Sequence, residues 1–566
     1  MKELKNPMNS HSIPCSNTPT QKIYGNLIDI HKREIYSAEI VIHDGIISEI
    51  NRNDLACDSY ICPGLIDAHV HIESSMLTPQ RFGQLVIQHG TVAVVTDPHE
   101  IANVMGMEGI RFMVDNSTKS PISTFFTIPS CVPATSLDVS GATISAKDVE
   151  EMAQSKNFVG LSEMMNVLGV VNQEVEVMNK IAIAKKHNLP IDGHAPAIVG
   201  ETFKIYANHG ITTDHECVTA EEAQEKITLG VKILIREGSA ARNYNALKSL
   251  IKSNPKDVMF CSDDSHPDEI VELGHMDKIV RCALADGFNI FDVLRIATIH
   301  PIKHYHLNLG TLKVGDPADF IMIDHPKSFQ TERVYIRGVK KYDRKEATEK
   351  TIISDNKQEE FSKEINNFKH YPIEISALRK QVTSPITAIS ITDGELVTTA
   401  YKYIPNRPLD NLESDLTNDL IKIVYINRYH NGIPQVAFCK GFHLKKGAIA
   451  SSIAHDSHNI IAVGCNDEEL AMAINAVIKQ KGGLSVCSDH TIQTLALPIA
   501  GILSDSPGEK VAMEYKKLSK QTHDMGCSLH APFMTLSFLS LVVIPYIKIG
   551  EKGLFDYTTF DWIKEE

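Results

Sequence analysis

The feature that most restricts what this chain can fold into is a repeated beat in its first half. Eight short, apolar, β-rich runs each end in polar or ionisable residues: Asp67-Ala68-His69, Thr96-Asp97, Pro129-Ser130, Ser162-Glu163, Gly193-His194, Asp214-His215, Arg236-Glu237 and Ser262-Asp263. They fall about 20 to 35 residues apart, the length of one strand-plus-helix unit, and eight such units close a (β/α)8 barrel whose strand C-termini carry the chemistry. The expected class is therefore α/β, with a TIM-like barrel over 61–307. The 566 residues exceed the roughly 250 of one such barrel, so further domains are expected.

The flanks have their own patterns. Residues 23–60 read as short alternating strands broken at Gly25 and at the Asp44-Gly45 turn, and 308–342, with GTLKVGDPADFIMID at 310–324, has the same character. The two pieces are expected to pair as one small β-sandwich domain. The charged stretch 343–365 reads as a linker or exposed helix and opens a C-terminal α/β domain over 343–566. In that domain Asn466 caps a helix, Glu469 sits three residues later, and Gly482-Gly483 stops the helix. Residues 1–22 are polar, with three prolines among the first twenty, and read as a loose tail without the apolar stretch of a secretory signal. The apolar segment 533–549 is interrupted by Ser537, Ser540, Pro545 and Lys548, which makes it a buried element and not a membrane span.

Composition narrows the partners. Hydrophobic residues at 43% and charged residues at 22% are ordinary for a chain that builds a sizeable core. A net charge of −14 repels polyphosphate, so nucleic acid is not an expected ligand. Eleven cysteines without a C-x-x-C pair support neither a disulfide framework nor a thiolate zinc site, and a cytoplasmic location is expected. No glycine-rich phosphate loop is present. His71-Ile72-Glu73 matches half of the zinc signature of the small nucleobase deaminases, but its P-C-x-x-C partner is missing, which excludes that fold.

The strongest chemical signal is PGLIDAHVH at 63–71. On a strand, His69 and His71 share one face, and neutral imidazoles spaced that way can converge on one divalent ion. Taken alone the pair is evenly balanced between a metal site and two polar residues at a barrel mouth. A barrel, however, brings the other strand ends to the same rim, where Glu163, His194, His215 and Asp263 add carboxylate and imidazole donors. Asp97, His99 and Glu100 in TDPHE are candidates for contact with substrate or a further metal, against an Asp-Pro turn. Arg236, Glu237 and Ser239 at the seventh strand end are candidates for substrate binding, against a local ion pair. Glu73, Ser74 and Ser75 are expected to order the loop after the paired histidines. The cluster of His455, Asp456 and His458 is balanced between a site and a turn. His300, His304 and His306 read as helix or loop surface.

These motifs resemble the amidohydrolase superfamily and, within it, the adenine deaminase family. The matching stretches are PGLIDAHVHIESSMLTP (63–79), VVTDPHEIANV (94–104), GLSEMMN (160–166), DGHAP (192–196), TDHE (213–216), REGSAARN (236–243), CSDDSHPDEI (261–270) and AHDSHN (454–459). The resemblance implies hydrolytic deamination of adenine to hypoxanthine and ammonia, a step of purine salvage. It further implies two ions, manganese or iron, with His69 and His71 on one, His194 and His215 on the other, and Glu163 bridging where many relatives use a carboxylated lysine. Asp263 is the implied catalytic acid/base and also a metal ligand. Asp264 is its rival, because consecutive strand residues face opposite ways and only one can aim at the barrel axis. The expected partners are the small-molecule substrate and further copies of the chain, with neither nucleic acid nor membrane. The alternatives are a related cyclic amidohydrolase of the dihydroorotase or hydantoinase kind, or a non-catalytic binding protein; the latter would show eroded ligand positions, and all six are present here.

Overall fold

The structure is a computed structural model and describes residues 20–135, 137–239, 241–350, 365–383 and 385–564. Most of the expected tail, and the part of the charged linker from 351 to 364, lie outside these residues.

Strands β1 (Gln21–Asp29), β2 (Glu34–His43), β3 (Ile46–Arg52) and β4 (Tyr60–Pro63) precede the barrel. Each of the eight expected runs then forms a strand: β5 (Leu65–Val70), β6 (Thr91–Thr96), β7 (Ser123–Ile128), β8 (Phe158–Met164), β9 (Ile191–Gly193), β10 (Thr213–Asp214), β11 (Lys232–Arg236) and β12 (Val258–Cys261). β5 to β9 pair in parallel in chain order, and so do β10 to β12. Bridges between Ile191 and Ile211 and between Val70 and Asp263 join the two arcs into a closed ring. Every residue of β5 and β6 is buried, as parallel strands covered on both faces must be. Asp67 strengthens the seam between β5 and β12: its carboxylate accepts from the Ser262 amide at 3.0 Å and from the Ser262 hydroxyl, and it lies 3.1 Å from His275 Nε2.

After the barrel come β13 (Phe320–Ile323), β14 (Thr331–Ile336) and β15 (Val339–Asp343). The two flanking pieces pair directly, because β13 runs antiparallel to β4, giving one seven-stranded sheet in the order β15-β14-β13-β4-β1-β2-β3. In the helix Ile299–Tyr305 that leads out of the barrel, His300 and His304 are half-buried and not surface groups; His300 Nδ1 lies 2.9 Å from the Val258 carbonyl.

The C-terminal region is built on a nine-stranded sheet: β16 (Ile386–Ser390), β17 (Thr399–Tyr403), β18 (Ser414–Asp415), β19 (Leu420–Ile426), β20 (Gln435–Lys440), β21 (Ala448–Ser451), β22 (Ile460–Gly464), β23 (Gly483–Ser488) and β24 (Thr491–Ala496). The helix Asp467–Lys479 buries Leu470, Ala473, Ile474 and Val477 against Val424, Ala448 and Ala462 of this sheet. It starts where the sequence indicates. The Asn466 side chain accepts from the Glu469 amide at 2.8 Å, while the Glu469 carboxylate accepts from Asn466 Nδ2 at 2.8 Å. Segment 533–549 is buried over most of its length, as the helix Pro532–Ser537, a short 3-10 turn and the start of β25 (Ile547–Gly550). No helix among the described residues is long and apolar enough to cross a membrane.

The C-terminal region docks over the loops at the C-terminal ends of the barrel strands. The Ser504 amide donates to the Met76 carbonyl at 2.7 Å, Arg81 Nε donates to the Asp505 carbonyl at 2.8 Å, and Lys516 pairs with Glu272. One continuous hydrophobic core runs through both.

Candidate metal centre

His69 lies on β5 and His71 directly after it, so strand alternation sends both rings inward, 4.8 Å apart and edge to face. Glu163 comes from β8, His194 and His215 follow β9 and β10, and Asp263 follows β12. All six are buried, between 2% and 8% exposed, which removes bulk water from any ion they hold. His69 Nε2 lies 3.5 Å from Asp263 Oδ1. His71 Nε2 lies 3.3 Å from Glu163 Oε1 and 3.4 Å from Asp263 Oδ1, and His215 Nε2 is 3.1 Å from Glu163 Oε2.

These separations discriminate between two kinds of site. A charge-assisted hydrogen bond between nitrogen and carboxylate spans about 2.7 to 2.9 Å. Adjacent ligand atoms each about 2.1 Å from a shared ion stand about 3.0 to 3.4 Å apart in octahedral or tetrahedral geometry. The four contacts are close to the second range. Two buried imidazole nitrogens, His69 Nε2 and His194 Nε2, have no hydrogen-bond partner among the described residues, so a donor set of imidazoles and carboxylates with spare lone pairs fits divalent ions here. His194 approaches Glu163 more closely, with Nδ1 2.8 Å from Oε2. His71 is oriented from behind, its Nδ1 3.2 Å from the Asp97 carbonyl, which leaves Nε2 for the centre.

Charge balance is set locally. Burial opposes ionisation of Glu163, but His194 and His215 outweigh it and hold the carboxyl well below its usual range. Burial likewise opposes Asp263, and Arg236 first, then His69 and His71, pull it well below the usual range. Arg236 is the fixed cation of the site. Its Nη1 lies 2.6 Å from Glu216 Oε1 and 2.5 Å from Asp263 Oδ2, and its Nη2 lies 2.8 Å from Glu216 Oε2. Glu216, one residue beyond His215, also approaches His194 Nδ1 at 3.5 Å and His215 Nε2 at 3.4 Å. Glu216 is not among the candidates the sequence singles out. The signal that could have found it is Arg236, a strand-end cation that needs a buried counter-charge.

Both Asp263 and Asp264 line the cavity, which corrects the expectation that only one could. Alternation does not apply, because β12 ends at Cys261 and Asp263 has a left-handed backbone with φ 56°. Asp264 accepts from the Ser74 hydroxyl, and burial, then the neighbouring charge of Asp263, push its carboxyl up. Glu73 accepts from the Ile101 amide at 3.2 Å, and Ser75 donates to the Ile72 carbonyl at 2.6 Å, so both order the loop.

The other candidates divide. His99 and Glu100 line the cavity. His99 Nδ1 is 2.7 Å from Asp97 Oδ2, which turns Nε2 to within 3.3 Å of Glu100 Oε1. Both Glu100 oxygens are taken by the C-terminal region, Oε1 by His455 Nδ1 at 2.5 Å and Oε2 by His458 Nε2. Glu237 and Ser239 are not in the cavity wall. Arg236 ends β11 and lines the cavity, whereas Glu237, just past the strand end, lies 3.6 Å from Lys278. Ser239 is engaged in the loop, its amide donating to the Asp264 carbonyl and its hydroxyl accepting from the His266 amide.

Comparison with known proteins follows the same division of the chain. The amidohydrolase family model matches residues 60–357, and the model of the adenine deaminase C-terminal domain matches 395–561. The chain is 44% identical over 554 residues to the adenine deaminase of Methanosarcina mazei, covering 96% of this chain and 99% of that protein. It is 45% identical over 545 residues to the adenine deaminase of Sulfurovum sp., covering 95% and 98%. Among solved structures, a D-hydantoinase aligns with a TM-score of 0.43 at 14% identity, over 57% of this chain and 95% of that one. A beta-aspartyl dipeptidase of Fervidobacterium islandicum aligns with a TM-score of 0.42 at 14% identity, over 56% and 94%.

Proposed function

The chain belongs to the adenine deaminases of the amidohydrolase family, and from that membership we propose how its own residues hydrolyse the C6–N bond of adenine to give hypoxanthine and ammonia. The observation that carries the reading is the convergence of His69, His71, Glu163, His194, His215 and Asp263, from five different strand ends or the turns after them, on one buried centre. His69, His71 and Asp263 would hold one divalent ion, and His194 and His215 a second, with Glu163 between them. When bound there, such ions supply Lewis acidity that ionises water near neutral pH. A donor set of imidazole and carboxylate without thiolate suits Mn2+ or Fe2+.

Asp263 accepts the proton that water loses as its oxygen adds to C6. Asp263 passes that proton to N1 as the ring becomes tetrahedral at C6, which then bears a hydroxyl and an amino group. The hydroxyl proton is next carried by Asp263 to the amino nitrogen, the C6–N bond breaks, and ammonia leaves with C6 bearing the carbonyl oxygen of hypoxanthine. Arg236 and Glu216 keep the Asp263 carboxylate aimed, since Nη1 grips Oδ2 while Glu216 fixes the guanidinium in a two-point fork. His99 and Asp264 border the space left for the substrate. A reducing, cytoplasmic location is supported by ten described cysteines, all free.

The test is ammonia release by manganese-loaded protein offered adenine, adenosine, cytosine or dihydroorotate. Release from adenine is expected, and release from dihydroorotate with none from adenine overturns the reading. Glu163→Gln is expected to lose bound metal and Asp263→Asn to lose turnover while retaining metal. Full activity in either variant removes the role given to that residue.

A further inference from the structure

The cavity has two unlike walls. The barrel contributes a floor of ionisable groups, whereas the C-terminal region contributes Leu396, Phe538, Leu541 and Ile544 together with His455 and Asp456. The loop bearing those last two is held on several sides. Glu100 accepts from both His455 and His458, the His455 ring stacks on Phe538 with centroids 4.4 Å apart, and Tyr429 donates to the Ser457 carbonyl at 2.5 Å. Asn459 accepts from the Arg428 amide at 3.0 Å and donates to the Val139 carbonyl at 2.8 Å. Asp456 is the exception within this loop. It is 5% exposed, its Oδ2 has no hydrogen-bond partner among the described residues, and Oδ1 lies 3.9 Å from His99 Nε2. A buried carboxylate oxygen without a donor is unfavourable, and a ligand that brings a donor relieves that cost.

Adenine has what such a wall lacks. Its faces are apolar and suit Leu396, Phe538, Leu541 and Ile544. Its C6/N1 edge must meet the histidines and Asp263 for reaction. Its imidazole edge carries one ring N–H, at N7 or N9, which needs an acceptor. We propose that a carboxylate oxygen of Asp456 accepts this N–H, so that the C-terminal domain supplies the purine-recognition half of the active site. Glu100, gripped by His455 and His458, is then the positioning residue that latches this wall onto the barrel. The inference rests on the adenine-deaminating reading above and adds a specificity residue to it.

The test uses the full-length, manganese-loaded protein. In Asp456→Asn, the KM for adenine and the inhibition constant of hypoxanthine rise together by about ten- to a hundredfold, the worth of one hydrogen bond to a charged acceptor. kcat stays within about threefold and the metal content is unchanged, because only binding common to ground and transition states is removed. Unchanged KM and inhibition constant overturn the proposal. Loss of kcat at constant KM overturns it as well, by making Asp456 a proton carrier, and so does loss of metal, by making it a support of the centre. If the parent protein releases no ammonia from adenine, the functional reading itself fails; an active parent with an unaffected variant refutes only the role of Asp456. Should the variant not fold, a crystal structure of the parent with hypoxanthine decides: a purine ring nitrogen within hydrogen-bond distance of Asp456 is expected, and a bound purine without that contact overturns the assignment.

Discussion

Lys548 on β25 offers a quantitative test of the packing between the last strands and the cavity wall. Its side chain is wholly buried, it has no carboxylate in ion-pair reach among the described residues, and its ammonium donates to the Leu396 carbonyl at 2.8 Å. Burial alone drives it from its ordinary value of 10.5 down to about 7. That difference corresponds to about 5 kcal/mol opposing folding wherever the unfolded chain keeps the proton and the folded chain must carry a charge or give it up. Because the folded value is depressed, this unfavourable contribution is fully present below pH 7, shrinks as pH rises, and vanishes near 10.5. Replacing Lys548 by Met removes it but leaves the Leu396 carbonyl without its donor, which costs about 1 to 3 kcal/mol at every pH. The variant should therefore be about 2 to 4 kcal/mol more stable at pH 6, and the gap should narrow by about 3 kcal/mol by pH 9. Scanning calorimetry of both proteins at several pH values gives the difference in thermal midpoints. A difference that does not change between pH 6 and pH 9 would refute the idea that a buried, unpaired ammonium sits there.

Three further outcomes are expected. Lys226, fully buried, donates to Asp214 at 2.9 Å, Glu222 at 2.8 Å and the Ala195 carbonyl at 2.7 Å, so it anchors the neighbours of both His215 and His194. Lys226→Met should lower stability by about 3 to 5 kcal/mol and reduce metal bound per chain, measured by calorimetry and elemental analysis. Arg236→Lys keeps the charge but loses the two-point grip on Glu216, and should lower kcat about tenfold or more with metal retained. Asn466→Ala removes the cap of the helix Asp467–Lys479 and should lower stability by about 1 kcal/mol without changing kcat.

Much of the barrel is legible in the sequence because its signal is local. A strand buried on both faces is mostly apolar, and its polar residues gather towards or just past its C-terminal end, so each unit marks its own rim position. The cap at Asn466 is local in the same way. Errors begin where the strand stops. Alternation fails for Asp263 and Asp264, two and three residues beyond β12, where the backbone is left-handed at Asp263 and both residues line the cavity. Glu237 is likewise one residue past β11, and it lies beside Lys278 and not in the cavity wall with Arg236.

The residues that sequence could not weigh are those whose partners lie far along the chain. Glu100 reads as a candidate for substrate or metal contact, but its partners His455 and His458, more than three hundred positions later, take both its oxygens. Asp456 reads evenly as part of a site or of a turn until the domain carrying it is laid over the barrel mouth, where His455 and His458 are both engaged by Glu100 and Asp456 Oδ2 has no hydrogen-bond partner among the described residues. The metal ligands could be inferred before the fold because each sits at a strand end that advertises itself. The substrate wall could not, because it exists only once the C-terminal sheet has docked. Substitutions that loosen this docking should therefore impair adenine binding before they impair metal binding.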